Sequence, residues 1–520
     1  MPDKIKIDEI TSVPVINISL DTIKKGKQAL IFVNTKRSAE KTAEELSHKI
    51  ETNEKELKVL SEEILNSLSR PTKQCERLSN VILKGVAFHH AGLVQKQKEL
   101  VEDNFRKGLI KIICATPTLA MGVDLPAFRA ILKDLKRYGH HGLTYIPVLE
   151  FLQMAGRAGR PKFDKYGEAI CIAFSESNKE ELTEKYINGK PEEISSKLAV
   201  EPALRMYILS LIASEFVGSK EQLYDFFKRT FFAHQFQDLE RINSLIDKIL
   251  GLLEDWEFIS SLKKQEFAGA DEFIDEKYNT TIIGKRIAEL YIDPLTAHEF
   301  VVALQKGASI KINEFSFLQM ISSALEMRPL LKARMKEYDI IEDALLKYSD
   351  FLLEDEPSPW EPEYEEFISS IKTALFFNDW ISEKDEEYLL EAYSIRPGEM
   401  RVKIDNGDWL LYAAEELARI LRFQKLIKEI IKLRLRLKNG VKEELLALLK
   451  LEQIGRVRAR TLYRNGIRDI SDVKKADFAK LAYLIGKKVA LKVKEQVGQD
   501  FSKVQIKENK RKGQISLKDF

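Results

Sequence analysis

The sequence predicts an α/β domain, a parallel sheet with flanking helices, followed by mostly α-helical domains. Two observations carry this. Up to about residue 177, short apolar runs stop at polar loops that open helices; beyond it, long amphipathic helical periodicity takes over with few strand signals. The first 26 or so residues read as extended and polar. Ala29 to Val33 then reads as a buried strand, and Asn34-Thr35-Lys36-Arg37-Ser38 as the loop and helix start after it. The same grammar returns at Val86-Ala87-Phe88 before His89-His90-Ala91-Gly92, and at Ile110 to Ala115 before Thr116-Pro117-Thr118. A last strand, Gly167 to Phe174, closes the domain. Alternation of this kind favours a parallel sheet whose ligands sit at the carboxyl ends of its strands, and polar residues cluster at those ends here.

The helical part divides at its punctuation. A first block carries a short strand pair near Phe258 to Phe267, which suits a winged helix. Pro294 starts a second block, interrupted by the acidic loop Glu354-Asp355-Glu356-Pro357-Ser358-Pro359. A lysine- and arginine-rich helix over 419–438 reaches a stop at Asn439-Gly440. The expected domains are 1–177 (α/β), 178–293 (winged helix), 294–440 (helical), 441–500 (a compact helical unit) and 501–520 (a basic tail expected to be disordered).

A length of 520 residues allows three or four domains with their own cores. The net charge is only +2, so any nucleic-acid surface has to be a local patch. Cys75, Cys114 and Cys171 have no metal-ligand spacing and an odd count, which predicts buried thiols in a reducing compartment and no metal site. No signal-peptide pattern and no membrane-length apolar run is present, so the expected setting is intracellular.

The most telling segment is Gln153-Met154-Ala155-Gly156-Arg157-Ala158-Gly159-Arg160-Pro161. Two arginines three apart among small residues suit a helix that turns both guanidiniums toward one polyanion, since the forked donor set fits phosphate oxygens. The partners such arginines need are a G-x-x-x-x-G-K-[ST] phosphate loop and a D-E-x-[HD] metal-binding strand. Neither pattern occurs in the 520 residues.

Four segments together resemble the second RecA-like domain of Ski2-like superfamily 2 helicases. Leu30 to Glu40 and Phe88-His89-His90-Ala91-Gly92-Leu93 resemble its backbone-contacting loops, and Ala115 to Pro126 its fifth motif. The arginine segment resembles its last. The resemblance implies that Thr35, Lys36, Arg37, His90, Gly92, Thr116 and Thr118 touch the tracking strand. It further implies that Gly122 and Asp124 face the nucleotide, and that Gln153, Arg157 and Arg160 act on the ATP γ-phosphate as the arginine-finger motif.

Further segments extend the resemblance to archaeal Ski2-like DNA helicases of the Hjm type. Leu132 to Leu149 reads as a β-hairpin; in DNA-unwinding members a hairpin here wedges the strands apart, making Tyr138, His140, His141 and Tyr145 the candidates. Residues 387–423 resemble the ratchet helix that crosses the DNA channel, with Trp409 stacking on a base and Arg401 gripping the strand. Asn406-Gly407 is a poor pair for a helix interior and a place for a kink. Leu451 to Ile467 resembles a helix-hairpin-helix, whose Gly455 turn and Arg456, Arg458, Arg460 and Arg464 suit a DNA phosphate. Gln514, Leu517 and Phe520 resemble a peptide that plugs into a sliding clamp (PCNA). The plain alternatives stay open: an exposed sheet-edge hairpin, and a core tryptophan at 409.

The resemblance thus implies the C-terminal portion of an ATP-dependent 3′–5′ DNA helicase of forked or branched DNA. ATP and Mg2+ would be shared with a separate N-terminal RecA-like subunit if the gene is split, the other reading being a truncated sequence, and the setting would be the prokaryotic cytoplasm at the nucleoid. A non-catalytic branched-DNA or clamp-recruiting module is the second reading, and a Ski2-like RNA helicase the third.

Overall fold

The computed structural model describes residues 5–68, 71–139, 142–160, 164–198, 200–237, 239–262 and 277–499. Two compact units divide the chain: residues 1–254, 261–279 and 385–403 form the first, and 255–260, 280–384 and 404–520 the second.

Among the described residues, seven strands lie in the α/β part of the first unit: β1 (Ala29–Phe32), β2 (Val86–His89), β3 (Ile112–Ala115), β4 (Arg129–Leu132), β5 (Lys136–Gly139), β6 (Gly142–Tyr145) and β7 (Glu168–Cys171). Five of them make a parallel sheet in the order β2-β3-β1-β4-β7, and β5 and β6 form a separate antiparallel hairpin. Every residue of β1 to β4 is buried, as befits strands covered by helices on both faces. Thr35, Thr72 and Ser175 each cap a following helix by accepting a backbone N–H, so the loops fold back at once.

Two sequence expectations change here. The start of the chain is not extended throughout: Pro14–Lys24 is a helix with proline in its first turn, and Val15, Ile16 and Ile18 are buried in the sheet's core. Its β-branched residues hid a helical spacing that tertiary packing pays back. The strand β4 escaped notice because it opens on a charge. Arg129 is 1% exposed and donates to Asp21 (2.6 Å), Glu168 (2.6 Å), the Thr22 hydroxyl and the Ile18 carbonyl. A buried guanidinium with this many partners disguises a core strand as a surface segment.

Past the sheet, the first unit continues with the helices Glu201–Ala213, Lys220–Lys228, Phe231–Phe236 and Leu239–Asp255. The expected strand pair consists of Ile259–Leu262 and Lys277–Thr280; the second strand lies beyond Phe267, which itself falls outside the described residues.

In the second unit, the helices Pro294–Ser309, Glu314–Ser323, Tyr364–Ile381 and Gln424–Asn439 bury Phe315, Phe317, Phe376 and Phe377. Asp293 caps the first of these, and Gly440 ends the last at φ +62°, where a Cβ would overlap the Trp380 ring. The expected basic helix over 419–438 is two helices, because Pro397–Ile420 ends before Arg422, at φ +63°, and Gln424 starts the next. The hydrogen-bonded helix Pro397–Ile420 runs on through Asn406-Gly407. A Cβ on Gly407 would press on Leu437, Phe377 and Ile321, so the glycine serves close packing. Residues 441–493 hold a small core of their own, including Val441, Leu448, Leu462 and Leu481.

Candidate nucleic-acid interface

The loops that carry the expected contacts leave the carboxyl ends of β1, β2 and β3, and a glycine-rich turn follows the helix Val148–Ala155. After β1, Thr35 and Arg37 are exposed, while Lys36 is ion-paired with Glu399. Burial and the nearby Arg396 charge hold the Lys36 ammonium below its ordinary range. After β2, His90 has no exposed surface. Its Nδ1 accepts the Gly92 N–H at 3.1 Å, so the ring proton sits on Nε2 and is donated to Glu40 at 3.2 Å. Burial disfavours the imidazolium and lowers its pKa. His90 and Gly92 were expected on the tracking strand; the His90 side chain is enclosed, and Gly92 packs against Arg396.

After β3 the surface opens. Thr116 is largely buried and shares a hydrogen bond of 2.9 Å with the hydroxyl of Thr118, which is exposed. The short helix Thr118–Gly122 ends in exposed Gly122, and Asp124 follows with its side chain 96% exposed.

The two arginines do not lie on a helix, against expectation. The helix stops at Ala155, Gly156 caps it, and Gly159 takes φ +95° beside Gly167, so small residues break the helix before the first arginine of the motif. Gln153, in the last turn, is exposed. Arg157 donates from Nε to the Ala120 carbonyl at 3.1 Å, and its NH1 lies 3.6 Å from Asp124. Arg160 is held on three sides: Nε and NH2 donate to Asp164 at 2.6 and 3.2 Å, and NH1 to Gln28 at 2.7 Å. The Asp164 side chain is 1% exposed, also pairs with Lys27, and has its pKa lowered chiefly by the Arg160 hydrogen bond. Sequence reasoning did not find Asp164 or Gln28, since neither stands in a motif.

The hairpin pairs Lys136 with Tyr145, Arg137 with Thr144 and Tyr138 with Leu143. Tyr145 is tied down, donating to Glu181 at 2.6 Å with the Lys136 ammonium over its ring. His140 and His141 lie outside the described residues, as do Gln514, Leu517 and Phe520 in the tail.

Arg401 is exposed on the helix Pro397–Ile420. Trp409, farther along, is half-buried and donates to the Leu290 carbonyl at 3.1 Å. Gly455 precedes the helix Arg456–Arg464 and is exposed. Arg456 stacks over Trp380 at 4.6 Å, and Arg460 is clamped by Glu383 and Glu444, which raises its pKa. Arg458 is exposed and donates to the Gln453 carbonyl, just before the helix. Among the described residues, no group of three or more His, Cys, Asp or Glu side chains is arranged to hold a metal ion, and no helix is long and apolar enough to cross a membrane.

Family comparisons follow the same order along the chain. Residues 11–162 match a helicase conserved C-terminal domain, 167–260 a helix-turn-helix domain, 315–440 domain 4 of archaeal helicases, and 445–498 a SAM-like helix-hairpin-helix tandem. These parts, in this order, define the class: a multidomain helicase of archaeal type. The ATP-dependent DNA helicase Hel308 of Pyrococcus horikoshii is 40% identical over 500 residues, covering 95% of the chain and 67% of the relative. Those of Pyrococcus abyssi and Methanococcus vannielii are 39% and 37% identical, and 67% of each is covered. The chain belongs to the archaeal Hel308 family of Ski2-like superfamily 2 helicases. It spans about two thirds of the length of these relatives, their C-terminal part.

Proposed function

We propose that these 520 residues form the C-terminal portion of an ATP-dependent 3′–5′ helicase acting on forked or branched DNA, and that ATP hydrolysis needs a phosphate-loop domain that none of them encodes. An N-terminal RecA-like subunit is the proposed source of that domain. The domain limits given from the sequence, and a cytoplasmic place at the nucleoid, are part of the same reading. Its main support is the pairing of Arg157 with Asp124, two polar side chains brought together in a helicase-family domain, with Gln153 exposed in the helix turn before them.

The donor set fits a nucleotide. Arg157 keeps NH1 out of its carbonyl hydrogen bonds, and Gly122 leaves open space for a close approach. Bound ATP with Mg2+ would supply the phosphoryl group, and an arginine aimed at its oxygens would stabilise the charge redistributed in the transition state. Arg157 is the finger in this reading. Arg160 reaches a phosphate only by giving up Asp164 and Gln28. Thr118, Arg37, Arg401 and Arg458 are exposed groups that suit a phosphate chain without reading bases. His90 and Gly92 support the strand loops from within and Lys36 through its pair with Glu399, and half-buried Trp409 is the residue proposed to meet a base. The tail peptide is retained as a clamp ligand for PCNA.

The test is DNA-stimulated ATPase. The chain alone is expected to show none and to gain it when the N-terminal subunit is added; turnover by the lone chain overturns the reading. Fork DNA is expected to bind more tightly than duplex RNA at one fixed salt concentration.

A further inference from the structure

Glu40 lies on the helix after β1, is 2% exposed, and serves three donors from three separate parts of the chain. It accepts from His90 Nε2 at 3.2 Å, from Arg77 NH1 at 2.5 Å and from Arg396 Nε at 3.1 Å. Arg396 directly precedes the helix Pro397–Ile420, whose first turn closes on the same place. The Gly398 N–H, one of the donors a helix start leaves without an internal partner, is given to the Gly92 carbonyl at 3.1 Å. Glu399 accepts the Arg396 N–H at 3.1 Å and pairs with Lys36.

The approach is close enough to restrict both glycines. A Cβ on Gly398 would overlap the Ala91 and Leu93 carbonyls, and one on Gly92 would overlap the Arg396 side chain. Backbone meeting backbone at this distance, with a buried carboxylate hydrogen-bonded from three directions and neutralised by two arginines, describes a fastened joint. A surface contact between exposed charges holds segments together only weakly; removing one partner of a buried one strands a charge.

We propose that Glu40 and Arg396 are positioning residues of a latch that fastens the first turn of the helix Pro397–Ile420 to the loops after β1 and β2. The start of that helix, with Arg401 on it, then follows the α/β domain as ATP turns over, and hydrolysis is coupled to movement of the strand. This coupling rests on the helicase reading above; the attachment itself does not.

The test uses the full chain with Arg396→Ala, the conservative Arg396→Lys, and Glu40→Gln as a second route to the same joint. Hydrogen exchange is followed in peptides covering residues 89–94 and 393–403. Arg396→Ala and Glu40→Gln are expected to speed exchange there by roughly tenfold, Arg396→Lys by less, with the β3 and β4 peptides unchanged. With the N-terminal subunit added, Arg396→Ala is expected to leave DNA-stimulated ATP turnover within about twofold while base pairs opened per ATP fall roughly tenfold. Unchanged exchange overturns the attachment, and unwinding and ATP turnover falling in parallel overturns the coupling. If the unaltered pair of subunits hydrolyses no ATP, the helicase reading fails and takes the coupling with it, and the exchange result still decides the attachment.

Discussion

The loops after β1 and β2 and the loops around Thr118, Asp124 and Arg157 belong to one domain and carry similar polar residues, yet they are used oppositely. On the first side, His90, Glu40 and Lys36 spend their hydrogen bonds inside the protein, on Gly92, Arg396 and Glu399. On the second side, Thr118, Gly122, Asp124 and Gln153 face outward. The difference teaches that a polar motif at a strand end is no guide to its partner. The charges of opposite sign packed against it decide, and one can come from hundreds of residues away, as Arg396 does for Glu40.

The largest test of this contrast sets the two arginines against each other. Arg157→Ala is expected to reduce ATP turnover of the reconstituted helicase by about 10³-fold with little change in melting temperature. Arg160→Ala is expected to act first on stability, by about 3 kcal/mol in urea unfolding, because it strands the buried Asp164 with Lys27 as its remaining cation. Equal stability losses for the two would erase the distinction between finger and pin.

Next in size is Gly398→Ala. Its methyl meets backbone carbonyls that cannot swing away, and the expected cost is about 2 kcal/mol in the same unfolding measurement. No loss would mean that the joint is looser than its geometry.

Acid should open the fastened side before the exposed one. Although burial opposes it, hydrogen bonds and charge from His90, Arg396 and Arg77 hold the Glu40 carboxyl down to about 2, below its ordinary 4.5. A lowered folded-state pKa contributes stability that is present above pH 4.5 and is lost as pH falls from there toward 2. Glu40→Gln is therefore expected to be less stable than the native chain near neutrality and to show a flatter acid limb between pH 4.5 and 2, read by circular dichroism.

The smallest expected effect is on DNA. Arg458→Ala removes an exposed cation and should weaken binding evenly across sequences, lowering the slope of log affinity against log salt by about one. Arg460→Ala, which removes the guanidinium shared by Glu383 and Glu444, should instead loosen the C-terminal helices, as a lowered melting temperature would report.

Much of this molecule is readable from one dimension. The alternation of apolar runs and polar loops gave four of the five sheet strands, and Pro294 and Asn439-Gly440 marked helix ends that the structure keeps. Two of the misreadings in the α/β domain share one cause. Val15, Ile16 and Ile18 favour strands locally and Arg129 favours the surface, and each was overruled by what it packs against. The site divides in the same way. Gly122, Asp124, Gln153 and Arg157 stand in recognisable motifs, while Asp164, Gln28, Arg77 and Arg396 matter through a partner distant in sequence.

What the sequence determined by itself is therefore the set of parts: a parallel α/β domain, helical domains after it, and the family to which they belong. Periodicity and motif order are local properties and survive being read one residue at a time. Only the tertiary structure decided which arginine is pinned and which keeps a donor to offer, and which loop is closed by the start of a helix some 300 residues on. Electrostatic pairing and backbone contact act through space, and chain order does not contain those distances.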